Sequence, residues 1–120
     1  MTDTLLTAND VVKQLSALGR ELDAAVRMLK EAEVHAVTKR HEADMAESRA
    51  FLGAEGAMEL RKHAARVAAD RFENEALVAE AVVRHLRTHI RAIDTRIDIG
   101  RSYGATVRSE MKMLPYSESA

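Results

Sequence analysis

The 120-residue chain has no cysteine, no tryptophan, a single proline (Pro115), five glycines and only 3 % aromatic residues. Without cysteine there is no disulfide framework, no thiolate chemistry and no cysteine-ligated zinc. The composition suits a reducing compartment. Phe51, Phe72, Tyr103 and Tyr116 are the only Phe, Tyr or Trp residues, too few for a thick globular core or for a platform on which nucleic-acid bases stack. No apolar run approaches the ~18 residues needed to span a membrane. The segment MTDTLLTAND has neither the basic stretch nor the apolar stretch of a secretory leader. Neither a membrane anchor nor a cleaved leader is expected.

What the chain does have is small aliphatic side chains and charge. Apolar residues make up 47 % of the sequence, many of them alanine, which suits thin seams between closely packed helices. Thr7 or Asn9 can cap a first helix, with Asp10 in its first turn, where a negative charge suits the helix dipole. Leu15, Leu18, Leu22, Ala25, Leu29, Ala32 and Ala36 then recur at alternating steps of three and four, the spacing of a heptad seam. Lys39 interrupts the seam, and Ala43, Ala46 and Ala50 resume it. This predicts a helix over about 8–52.

Gly53 and Gly56 bracket the segment FLGAEG, which reads as a helix stop and a loop over about 53–56. A second seam of the same spacing follows, running from Ala65 through Phe72, Val83, Leu86, Ile90, Ile93 and Ile97 to Met111. It predicts a helix over about 57–114, stopped by Pro115, with 115–120 as a disordered tail. Gly100 and Gly104 lie on this seam and mark either close helix contact or a kink that begins a short third helix. The short loop turns the second helix back along the first. The expected fold is all-α, a single domain: a long antiparallel helical hairpin, coiled-coil-like. Apolar residues cover more than one stripe of each helix, so the hairpin is expected to self-associate into a bundle. Leu18, Leu22, Leu29, Leu86, Ile90, Ile93 and Ile97 are its expected seam residues.

The formal net charge is −1, but it is unevenly spread. Residues 21–59 carry nine acids against five bases, and residues 61–112 carry eleven bases against seven acids. The two halves are therefore complementary. Arg84, Arg87 and Arg91 share one helix face beside Thr88 and Thr95, and Arg101, Arg108 and Lys112 form a second row beside Ser102 and Ser109. Arginine flanked by Ser or Thr is suited to phosphate oxygens. The same arginines can instead pair with the acids of the first helix. Both readings stand at this point.

His85 and His89 have the i, i+4 spacing of two imidazoles on one zinc ion, but no HExxH pattern accompanies them. No phosphate-cradling glycine loop, nucleophile elbow or paired-carboxylate dyad appears. No catalytic residue, metal or cofactor is expected.

Gly56 followed by Arg61-Lys62, the run AARVAADRFENEALVAEAVVRHLRTHIRAI and the segment RIDIGRSYGATVRSEM together resemble small helical proteins of the early regions of tailed bacteriophages, including those of actinobacteria. The resemblance covers about residues 55–112, and Arg101-Ser102 with Arg108 and Glu110 carries most of it. It implies a phage origin, action in the host cytoplasm, and a neighbourhood of replication and recombination functions. It supplies no catalytic residues.

Two functions are therefore expected. One is an oligomeric, non-enzymatic accessory protein of phage DNA recombination or replication, contacting DNA or a DNA-metabolism protein through Arg84, Arg87, Arg91, Arg101 and Arg108. The other is a protein–protein module, a scaffold or an inhibitor of a host protein, with no nucleic-acid role.

Overall fold

The computed structural model describes residues 7–113. It consists of two α-helices, α1 (Ala8–Gly53) and α2 (Met58–Met113), and contains no strand among the described residues. The fold is thus all-α, two long helices joined by a short turn. Pro115 and residues 115–120, expected to end α2 and form a tail, lie outside the described residues.

Local chemistry explains the helix ends. Thr7 and Asp10 cap α1 reciprocally: the Asp10 amide donates to Thr7 Oγ1 at 3.2 Å, and the Thr7 amide donates to Asp10 Oδ2 at 3.0 Å. Each bond satisfies a backbone N–H that the helix itself leaves without a partner. The bonds from Thr7 hold the Asp10 carboxyl below its usual range. At the far end of α1, Arg61 donates to the Phe51 carbonyl at 3.3 Å, and its guanidinium lies 4.5 Å from the centre of the Phe51 ring. An α2 side chain thereby occupies one of the open carbonyls of α1's last turn. Gly56 adopts φ 105°, a backbone conformation that L side chains rarely tolerate. That residue lets the chain reverse between the helices.

Contacts cluster in two compact units, Arg27–Thr88 and the combination of Met1–Val26 with His89–Ala120. Each unit takes a piece of both helices. In Arg27–Thr88 the buried residues are Ala36, Ala43, Ala65, Ala69, Ala76, Ala79, Val83 and Leu86. Ala36 packs with Ala79 and Val83, and Leu29 and Ala32 close around them. The pieces run antiparallel: Glu33 faces Arg87, whereas Arg40 faces Glu73 and Glu80.

The other unit is also antiparallel, with Val11 beside Gly104 and Leu15 beside Gly100. Its buried residues include Val11, Ala25 and Ile93. α2 continues through Gly100 and Gly104 as one helix. A Cβ at Gly100 would sit 2.9 Å from Leu15 Cδ2, and one at Gly104 would sit 3.2 Å from Val11 Cγ1. The two glycines are sockets for α1 side chains. Here a missing Cβ permits close approach and no third helix begins.

The seam residues named from the sequence face the companion helix of their own chain. Leu86 and Ile93 are buried, and Leu18, Leu22, Leu29, Ile90 and Ile97 are half-buried. Ile93 is the largest side chain that is fully enclosed. The rest of the enclosed surface is largely methyl groups.

Candidate interaction surface

The seam has two flanks in Arg27–Thr88, with different chemistry. One is a charged groove lined by Glu33, Val37, Arg40, Glu80, Arg84 and Arg87, with Ala36 and Val83 at its base. Its centre is a clasp formed by Arg40. Nη1 donates to Glu73 Oε2 at 2.6 Å, while Nη2 and Nε donate to the two carboxylate oxygens of Glu80 at 2.9 and 3.0 Å. The fork engages Glu80 with both arms, the geometry in which arginine binds carboxylate best. Those hydrogen bonds push Arg40 up and hold the Glu80 carboxyl below its usual range, with the nearby Arg84 charge adding to the effect on Glu80. The clasp is a third or more exposed, so solvent screens much of its energy, and its main effect is to specify register.

The opposite flank is an apolar groove. Ala32, Ala79 and Leu86 form its floor, and Met28, Val78 and Val82 form its walls. Glu31, His35, Lys39 and Glu75 rim it. Lys39, which breaks the apolar seam of α1, reaches Glu42 at 3.2 Å and Glu75 at 3.5 Å, and the Glu42 bond raises its pKa. The unit of Met1–Val26 with His89–Ala120 has a groove of its own, lined mainly by Val11, Leu15, Leu18, Ile99 and Tyr103.

The arginines singled out from the sequence do not form one site. Arg87 lies 3.7 Å from Glu33. Arg84 lines the charged groove beside it. Arg91 is exposed on α2, and its carbonyl accepts the Thr95 hydroxyl at 3.0 Å. Arg101 and Arg108 are exposed, with the Arg108 guanidinium lying along Gly104. Arg96, not among the named residues, pairs with Glu21 at 3.2 Å, and His89 Nε2 approaches the same carboxylate oxygen at 3.7 Å. His85 is exposed. Among the described residues no group of three or more His, Asp or Glu side chains could hold a metal ion. None of the described helices is long and apolar enough to cross a membrane.

Sequence reasoning missed Arg40, and it read Arg61 as part of a basic patch with Lys62 and Arg66 rather than as a contact to the end of α1. Both occur in runs that look like ordinary surface charge. Only the register of α1 against α2 reveals that Arg40 faces two glutamates and that Arg61 reaches the end of α1. Comparison with protein-family profiles, curated proteins and solved structures finds no match to this chain.

Proposed function

We propose that the protein is a non-enzymatic helical interaction module that associates with itself and with a partner protein through helix–helix contacts. The observation that carries this reading is the distribution of apolar surface. Among the described residues Ile93 alone of the large side chains is fully enclosed, while Val34, Val37, Val78, Val82, Ile99 and Tyr103 are among those left exposed. Exposed apolar stripes on helices are normally covered by other helices. Lys39, Arg40, Arg87 and Arg96 are matched by carboxylates of the companion helix, which removes part of the basic surface a phosphate backbone would need. The resemblance of residues 55–112 to phage early-region proteins suggests a partner in phage or host DNA metabolism, met in the host cytoplasm. Sedimentation across a wide concentration range tests the reading: a dimer or larger species is expected, and a monomer throughout would overturn it.

A second reading is favoured by Arg84, Arg101 and Arg108, which are exposed on α2, with Arg84 near the Glu80 carboxylate. In it, these side chains contact nucleic-acid phosphates. Fluorescence anisotropy with labelled single- and double-stranded DNA then shows binding that weakens steeply with salt. Replacing all three arginines with glutamate abolishes it. Absence of binding even at low salt would remove this reading and leave the first intact.

A further inference from the structure

We infer that the apolar groove of Arg27–Thr88 is where a second copy of the chain docks, in a two-fold arrangement centred beside His35. The inference rests on the self-association proposed above and adds its face and symmetry. The two flanks of this unit differ in what they could give a partner. Around the Arg40 clasp, guanidinium and carboxylate groups already satisfy one another, and covering them would cost their remaining hydration. On the other flank, Met28, Val78 and Val82 are 55 %, 59 % and 46 % exposed. Ala32 and Ala79 lie between them, small enough for another helix to approach closely.

The rim charges choose the occupant. On α1, Glu31 precedes His35 by four residues and Lys39 follows it by four. A two-fold axis at His35, perpendicular to the helices, therefore sets Glu31 of each copy against Lys39 of the other, whose ammonium also holds Glu42 and Glu75 of its own chain. On α2, Val82 lies at about the same level, because Ala36 clusters with Ala79 and Val83 and the helices run antiparallel. The same axis stacks Val82 of one copy on Val82 of the other. One operation thus matches acid to base on α1 and apolar to apolar on α2, as a self-complementary interface requires.

The chain lacks cysteine, so single cysteines report the face without background. Under oxidised glutathione, His35→Cys is expected to give a disulfide-linked dimer, and Val37→Cys, on the opposite flank, is expected to give none. Val82→Glu places a charge in the contact and is expected to weaken the dimer by roughly tenfold or more. Its helix content by circular dichroism should be unchanged, because Val82 is not buried within the chain. Glu31→Lys is expected to weaken the dimer as well, with partial recovery when combined with Lys39→Glu. If the wild-type protein sediments as a dimer but Val37→Cys is the variant that cross-links, or Val82→Glu leaves the dimer intact, this face is wrong and self-association stands. A wild-type protein that stays monomeric overturns both.

Discussion

Gly19 and Gly104 both lie inside long helices and differ in what surrounds them. A Cβ at Gly19 would meet nothing within 4 Å, whereas one at Gly104 would press on Val11 Cγ1 at 3.2 Å. Val11 is buried and β-branched, so it has little freedom to rotate away. Gly19→Ala is therefore expected to stabilise the protein by about 1 kcal/mol, the cost of glycine in a helix interior. Gly104→Leu is expected to lower the thermal midpoint, because the side chain has no room beside Val11. Thermal melts of the two variants beside wild type check both directions, and a lowered midpoint for Gly19→Ala would show that something approaches that position. The spacing of Gly100 and Gly104 on the α2 seam was enough to raise close contact as one reading. The side chains that fill the sockets, Leu15 and Val11, were not legible, because they depend on the register of one helix against the other.

Register is the main unknown at the level of the elements, and charge fixes it. Both seams were readable from alternating steps of three and four, since that spacing follows from helix geometry alone. The cross-helix partners of Arg40, Lys39 and Glu21 were not, because periodicity says which side a residue faces and not what stands opposite. The clasp makes stability depend on pH with a definite sign. The Glu80 carboxyl is held below its usual range by Arg40, and the Asp10 carboxyl by the Thr7 cap. A carboxyl with a depressed folded pKa adds stability above its unfolded pKa, and that stability is lost as pH falls through the folded value. Lys39 is shifted up, so its contribution holds below the ordinary lysine pKa and is lost only as pH rises through the folded value. Urea midpoints measured between about pH 7 and pH 3 should fall for the wild type. Arg40→Gln should flatten part of that fall while lowering the midpoint at neutral pH. A variant whose pH profile parallels the wild type would show that the clasp contributes nothing net.

For the whole molecule, self-association has a thermodynamic signature that needs no variant. If copies bind one another only when folded, mass action raises the melting temperature with protein concentration. The midpoint is therefore expected to climb over a hundredfold concentration range, and a midpoint that does not move would argue against association. The surfaces proposed for self-association were legible only as surplus apolar residues, since a single sequence shows how many stripes a helix carries but not which are used within the chain. The division of contacts into two units has a separate consequence, in the order of assembly. Arg40 meets Glu73 and Glu80 across 33 and 40 residues of chain, whereas Arg96 meets Glu21 across 75. The entropy of closing a loop rises with its length, and the shorter closure includes the turn at Gly56. The unit Arg27–Thr88 is therefore placed to form first and to act as the tether that makes the longer closure local. Folding then proceeds as a zipper from the turn, and amide protection in exchange experiments should decline along both helices with distance from Gly56.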